Sequence, residues 1–339
     1  MKEVSFIKDK LSKRWKFLLT SPIHQEAQKL LEPHAEFILS PAGSSSAEIG
    51  NLVQKQQTEA LIVRAGEINR EVLIASPQLQ VIVKHGVGYN NIDIKVATEL
   101  SLPVLFTPNA NSESVAEHTL ALIFALSKKL ILLNYEMKIK HDWPKTKYSI
   151  DELQHKCLGL IGMGRIGSRV IQLVSPLEMK ILVYDPFISE KNLPQGVKRV
   201  KSVKELVQKA DIVSIHCPLT RETACILGKE ELNSMKSNAY LVNTARGEIV
   251  DEVALIEVLK NGLIAGAALD AFTQEPLSPN SPLLKLDNVI VTPHIAGTAK
   301  ESFIRMGITA VKLAFQILEG KEEDIPVDNF INREVLEKK

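Results

Sequence analysis

The chain has 339 residues, 45% of them hydrophobic and 24% charged, with a net charge of +1. That length fits about two domains of an ordinary globular protein. So balanced a charge excludes the broad basic field that nucleic acid or an anionic membrane would recognise.

The three cysteines, Cys157, Cys217 and Cys225, are odd in number and lack C-x-x-C spacing, which points to a reducing compartment. No apolar run reaches the ~18 residues of a membrane span. The most apolar helical stretch, 120–126, is flanked by His118 and by Lys128 and Lys129. The first residues carry Lys2, Glu3, Lys8, Asp9 and Lys10 and no signal-peptide apolar region. A short solvated extension and a cytoplasmic location are expected, with no metal ligand set.

In chain order, residues 17–19, 60–63 and 81–83 are expected as strands. Residues 24–31, 69–75 and 93–100 are expected as helices between them. The alternation implies parallel pairing. Pro108-Asn109-Ala110-Asn111 breaks the pattern. Ser114-x-x-Glu117 then reads as a capping box for one long apolar helix, 115–133.

Residues 158–186 are the most informative stretch. An apolar run, 158–161, leads into Gly162, Gly164 and Gly167 in G-x-G-x-x-G spacing. A helical pattern with Ile166, Val170, Ile171 and Val174 on one face follows, then a second run, 181–184, ending in Asp185. This is the strand–turn–helix–strand–acid context of a dinucleotide site. Gly162 permits the tight turn, Gly164 lets a pyrophosphate approach the backbone, and Gly167 lets helix and strand pack closely. The helix N-terminus offers N–H groups to the phosphates. Asp185 lies 18 residues past Gly167, where a carboxylate accepts from a ribose 2′-OH and repels a 2′-phosphate. The expected cofactor is therefore NAD.

Further strands are expected at 212–215, 240–242, 265–269 and 289–291, making six with the two above, and a last helix at 300–318. The fold class is α/β: a Rossmann-type doubly wound cofactor domain inserted in a smaller, flavodoxin-like α/β substrate domain. The chain is expected to start one domain over 1–110, build the cofactor domain inside it over 111–297, and come back over 298–339; that the outer domain is the substrate domain is what a family resemblance implies.

In doubly wound sheets, ligands bind at the carboxyl ends of the strands. The residues expected there are His216, Cys217, Pro218, Thr244, Ala245, Arg246, Asp270, Glu275, His294, Ala296 and Gly297. An oxidoreductase acting on an oxo- or hydroxyacid must orient the acid and move one proton. An Arg pairs bidentately with a carboxylate and polarises a carbonyl. A His moves the proton, and a Glu on its far nitrogen fixes the tautomer and favours imidazolium. Taken singly, Arg246 also fits a surface salt bridge, Glu275 a turn cap before Pro276, and His294 a satisfied buried histidine. Their joint placement favours chemistry.

These segments resemble the D-isomer-specific 2-hydroxyacid dehydrogenase family over about residues 16–320. The motifs are Gly86-Val87-Gly88 with Asn91 and Asp93, GMGRIG, HCPLT, NTARG, LDAF-x-x-EP and PHIAG. The resemblance implies that Arg246 binds the substrate carboxylate and carbonyl oxygen, His294 is the acid/base, and Glu275 is its partner. It implies that Asp270 holds the nicotinamide carboxamide, Arg165 and Ile166 lie over the pyrophosphate, and Cys217 and Pro218 line the adenosine side. The Val87 and Gly88 N–H groups would receive the substrate carboxylate, as a backbone nest does. A hinge between the domains and a homodimer contact near the helix after Glu117 are implied as well.

Within the family, the first domain most resembles phosphoglycerate dehydrogenases and hydroxypyruvate/glyoxylate reductases. Arg64 and Lys84 would suit a second anionic group on the substrate; without them, glyoxylate or hydroxypyruvate is the better acid. Arg64 also fits a simple strand end. Lys84 departs from a more usual Arg, His85 from a small residue and Tyr89 from a small aliphatic. The chain also ends without the regulatory extension of longer phosphoglycerate dehydrogenases. Two rivals are weighed: an NAD(H)-sensing corepressor-type protein of the same fold, and, with less support from the Gly86-Val87-Gly88 loop, formate oxidation.

Overall fold

The computed structural model describes residues 14–336 and divides the chain into two compact units. Of the described residues, the first comprises 14–111 and 298–336, the second 112–297. The expected charged extension, Lys2 to Lys10, lies outside the described residues.

The first unit is built on a parallel sheet of β1 (Trp15–Leu19), β2 (Ala35–Leu39), β3 (Ala60–Val63), β4 (Val81–Lys84) and β5 (Val104–Leu105). The strand order is β2-β1-β3-β4-β5, the flavodoxin-like arrangement. Its helices are α1 (Gln25–Leu31), α2 (Ser46–Gln56), α3 (Arg70–Ile74) and α4 (Ile94–Glu99). Three elements escape the sequence reading. β2 is an edge strand that buries only Ala35 fully and leaves Glu36 and Leu39 exposed, so its short Phe37-Ile38-Leu39 run is not marked as core. β5 is only two residues long. α2 lies in a stretch to which no element is assigned from sequence, although Ser45 and Glu48 form a reciprocal capping box there.

The second unit opens with α5 (Ser112–Ser127) and α6 (Leu130–Lys138). One helix over 115–133 is expected, and the structure corrects this. Lys129 adopts a left-handed φ of 49°, which ends the first helix and turns the chain into the second. Ser114 is correspondingly no cap, because the helix begins at Ser112 and buries Ser114 inside it.

Glu136 on α6 is buried at 1% exposure between Lys140 Nζ at 2.7 Å and Lys147 Nζ at 2.9 Å. The Tyr148 hydroxyl donates to it as well. The lysines, then the hydroxyl, hold its carboxyl down at about 2, from an ordinary 4.5. A depressed carboxyl contributes stability above its unfolded value that is lost as pH falls through the folded one. Glu136→Gln is therefore expected to melt lower than wild type near neutrality. The gap should close between about pH 4.5 and about pH 2, as the wild-type carboxyl takes up its proton. Thermal melts of both proteins across that window check this; a gap independent of pH sinks it.

The sheet of the second unit comprises β6 (Cys157–Ile161), β7 (Lys180–Tyr184), β8 (Val197–Arg199), β9 (Ile212–Ile215), β10 (Tyr240–Asn243), β11 (Gly266–Leu269) and β12 (Val289–Val291). All pairings are parallel, in the order β12-β11-β10-β9-β6-β7-β8. Six strands are expected and seven found. The extra one, β8, buries only Val197, so it carries no readable pattern. One face is covered by α7 (Arg165–Val174) with α5, through Leu122, Ile123, Val170 and Val174. The other is covered by α8 (Val203–Lys209), α9 (Lys229–Asn233) and α10 (Glu252–Lys260), through Leu206, Leu232, Leu255 and Val258. Because every strand runs the same way, all their carboxyl ends lie on one edge. The chain then returns to the first unit as α11 (Lys300–Leu318), which packs Ala310, Val311 and Ala314 against Phe17, Ile62 and Val83. Among the described residues, no helix is long and apolar enough to cross a membrane.

Candidate functional site

At the end of β6 the three fingerprint glycines are required for different reasons. Gly162 has φ 94°, and a Cβ on it would stand 2.8 Å from the Cys217 nitrogen. A Cβ on Gly167 would stand 2.4 Å from the Gly162 carbonyl oxygen, so helix and turn pack too closely for any side chain. A Cβ on Gly164 would meet nothing within 4 Å. Gly164 therefore borders open space at the start of α7, where no side chain caps the helix. A backbone turn with room beside it and a helix N-terminus facing that room fit a pyrophosphate. Asp185, just past β7, accepts from the Met163 N–H at 2.9 Å and the Phe187 N–H at 2.9 Å. It thus joins the glycine turn to the end of β7.

One consequence is testable. Gly164→Val should fold and melt close to wild type, because its side chain enters empty space. It should weaken NADH binding by at least ~10-fold if the pyrophosphate occupies that space, as the fingerprint spacing leads one to expect. Fluorescence titration with NADH reads the outcome, and wild-type affinity would remove Gly164 from the cofactor site.

Beside the turn lie His216, Cys217 and Pro218, at the end of β9. His216 Nε2 lies 2.9 Å from Ser214 Oγ, and burial holds its imidazole neutral. Burial also pushes the Cys217 thiol up to about 11, with Asp185's charge acting in the same sense, so this cysteine is no thiolate nucleophile.

The loop after β10 carries Arg246. Asn243 shapes it: its side-chain amide donates to the Arg246 carbonyl at 2.8 Å, and its oxygen accepts from the Ala245 N–H at 3.0 Å. Gly247 passes so close to the next loop that a Cβ would lie 2.0 Å from the Phe272 carbonyl carbon. Arg246 itself donates to the Ala245 carbonyl at 2.7 Å. Thr244, buried, lies 3.0 Å hydroxyl to hydroxyl from Thr119 of α5.

After β11, Glu275 accepts from the Phe272 N–H at 3.0 Å through one oxygen. Its other oxygen lies 2.8 Å from His294 Nδ1. A carboxylate only accepts, so Nδ1 is the donor and Nε2 is left to hold or release a proton. His294 sits after β12 with φ 51°, a left-handed conformation, and its side chain is 42% exposed. Asp270, 1% exposed, holds this turn through the Ile295 N–H at 2.9 Å, the Ala296 N–H at 2.8 Å and the Thr292 hydroxyl at 2.5 Å.

In the first unit, among the described residues nothing accepts from the Val87 or Gly88 N–H. Thr107 and Asn91 hold the loop on either side, through the Gly86 N–H and the Gly66 carbonyl. Lys84 proves to be 7% exposed, and its ammonium donates to the Arg64 carbonyl at 2.9 Å and to Asn91 at 2.6 Å. It braces this loop. The Arg64 guanidinium lies 4.9 Å above the centre of the Phe303 ring. His85 is 2% exposed, neither ring nitrogen has a hydrogen-bond partner among the described residues, and burial, then Arg64, push it down to about 4, so it is neutral.

The sequence assigns no role to His118, Thr119, Asn243 or Thr292. Asn243 opens the NTARG segment, Thr292 precedes PHIAG, and His118 and Thr119 are polar side chains inside an apolar helix.

Sheet order, glycine turn and strand-end acid define a Rossmann-type dinucleotide-binding protein. Residues 120–296 match the profile described as D-isomer specific 2-hydroxyacid dehydrogenase, NAD binding domain, and the chain belongs to this family. NAD is its cofactor. The chain is 38% identical over 324 residues to the D-3-phosphoglycerate dehydrogenase of Archaeoglobus fulgidus, covering 95% of this chain and 60% of that protein. It is 40% identical over 282 residues to the glyoxylate reductase of Thermofilum pendens, covering 81% of each. A solved D-lactate dehydrogenase from Aquifex aeolicus, complexed with NAD and lactic acid, superposes with a TM-score of 0.82 at 30% identity, covering 94% of this chain and 99% of that one. The chain spans only 60% and 58% of the phosphoglycerate dehydrogenases of Archaeoglobus fulgidus and Methanocaldococcus jannaschii.

Proposed function

We propose that this protein interconverts a small 2-oxoacid and a D-2-hydroxyacid. NAD, when bound, supplies or accepts the hydride. Gly162, Gly164, Gly167, Arg165, Ile166 and Asp185 hold its pyrophosphate and ribose. His216, Cys217, Pro218, Thr244, Ala245, Asp270, Ala296 and Gly297 line the remainder. Arg246 binds the acid's carboxylate and polarises its carbonyl, while the Val87 and Gly88 N–H groups also receive the carboxylate. His294 Nε2 gives the proton to the carbonyl oxygen in reduction and takes it back in oxidation. Glu275 keeps Nδ1 protonated and the ring oriented. The observation that carries this reading is the 2.8 Å Glu275–His294 pair on the same sheet edge as the glycine turn.

The substrate is proposed to carry one negative charge, as glyoxylate and hydroxypyruvate do. The supporting observation is that Lys84 is engaged with its own loop, which leaves Arg64 without the second cation a dianion would favour. The test follows NADH absorbance with glyoxylate, hydroxypyruvate, pyruvate, sulfopyruvate and 3-phosphohydroxypyruvate. No oxidation with any of them overturns the activity. A tenfold preference for a dianion overturns only the substrate choice.

With the best acid, NADH should exceed NADPH by more than ~10-fold in kcat/KM, a difference of ~1.4 kcal/mol. Asp185 is the cause, and equal efficiency with both cofactors would contradict its role.

A homodimer is proposed as well. Ile131, Tyr135, Ile139 and Trp143, on and after α6, are 57%, 47%, 62% and 74% exposed, an apolar surface suited to a partner. A monomeric mass by sedimentation would count against it.

A further inference from the structure

His118 lies on α5, outside every motif used above. Its Nε2 stands 3.2 Å from the Thr292 hydroxyl oxygen and 3.7 Å from an Asp270 carboxylate oxygen. The Thr292 hydroxyl has one proton, and the Asp270 carboxylate, 2.5 Å away, can only accept. Thr292 therefore donates to Asp270 and must accept from His118. That assigns the proton on His118 to Nε2. The chain of donors runs one way, from His118 through Thr292 to Asp270.

Asp270 is the point that holds the catalytic turn. It grips the Thr292 side chain before His294 and the Ile295 and Ala296 N–H groups after it. Between these anchors His294 is forced to φ 51°, which an L side chain adopts rarely. A turn held at both ends in this way fixes where the imidazole points. The neighbouring Thr119 braces the Arg246 loop through Thr244, so one turn of α5 reaches both loops.

We infer that His118 is a positioning residue for His294: its Nε2–H sets the Thr292 hydroxyl on Asp270, which keeps the left-handed turn that brings His294 Nδ1 to Glu275. This rests on His294 being the proton donor and deepens that reading.

The test uses the full chain with NADH and its best 2-oxoacid. His118→Ala is expected to lower kcat ~10-fold or more, since loosened catalytic geometry acts on the chemical step. KM for the acid and the NADH dissociation constant, read by fluorescence, should stay within about threefold. His118→Gln should recover most of kcat, because its amide places an N–H where the ring N–H stands, and His118→Leu should not. Thr292→Val should show the same loss, and the double variant His118→Ala/Thr292→Val should be no worse than either single one.

Several results overturn the inference: a wild-type kcat in His118→Ala, losses that multiply in the double variant, or a rise in KM alone. If His118→Ala fails to fold, the comparison of Gln with Leu decides, and equal kcat values overturn the relay. His294→Ala serves as the reference. If it keeps full activity, the proton-donor reading itself falls. If it loses activity while His118→Ala does not, only the relay falls.

Discussion

His294→Ala is expected to reduce kcat for 2-oxoacid reduction by ~10²–10⁴, the usual contribution of a positioned acid or base. The ring's Nδ1 is committed to Glu275 at 2.8 Å, so Nε2 is the atom that can move a proton. Water can replace part of this function, because the side chain is 42% exposed. His294→Gln should lose as much, since an amide forms hydrogen bonds but transfers no proton near neutrality. NADH affinity should hardly change in either variant, because the proposed phosphate and ribose positions are at the ends of β6 and β7. Glu275→Gln keeps an acceptor for Nδ1–H and removes only the charge, so its loss should be smaller, about tenfold. Steady-state kcat with saturating NADH and acid measures all three. A wild-type kcat in His294→Ala removes this residue from the chemistry.

The sequence shows the glycine turn and Asp185 because both obey local rules. A turn with φ 94° and a helix packed at van der Waals limits demand glycine whatever the rest of the chain does. The buried parallel strands β6, β9, β10 and β11 are mostly apolar, interrupted only by Ser214 in β9 and ended by Asn243 in β10, so the residues that follow them are placed at the sheet edge by the run itself. Elements that bury little escape, as β2 and β8 do. The break at Lys129 escapes too, because nothing in the helix period forbids continuation and only the observed left-handed residue stops it. Side-chain direction is the other blind spot. Lys84 occupies a position that suggests anion binding, but its ammonium turns back onto the Arg64 carbonyl and Asn91. The His118–Thr292–Asp270 chain depends on a link between residues 174 apart in sequence, His118 and Thr292, and no spacing rule relates them.

Arg246→Ala is expected to have the largest effect on the use of substrate. Its guanidinium donates once to the Ala245 carbonyl, and among the described residues its other N–H groups have no protein acceptor. Asn243 and Gly247 fix the loop beneath it, so the fork is held at little entropic cost when the acid arrives. Each charge-assisted hydrogen bond lost is worth ~1.5–3 kcal/mol, and two of them imply a fall of ~10²–10⁴ in kcat/KM. On the proposed reading, the carboxylate contact is equally strong in ground and transition states, so its loss raises KM. The proposed contact to the carbonyl oxygen strengthens as negative charge develops there, so its loss lowers kcat. Both parameters should therefore move, with KM moving more. Arg246→Lys should recover only part of the loss, because an ammonium is a point charge without the planar fork. Added guanidinium ion should restore some turnover to Arg246→Ala and none to His294→Ala. Kinetics of these variants with glyoxylate and hydroxypyruvate decide the matter: a KM that stays at the wild-type value in Arg246→Ala would place the substrate carboxylate elsewhere.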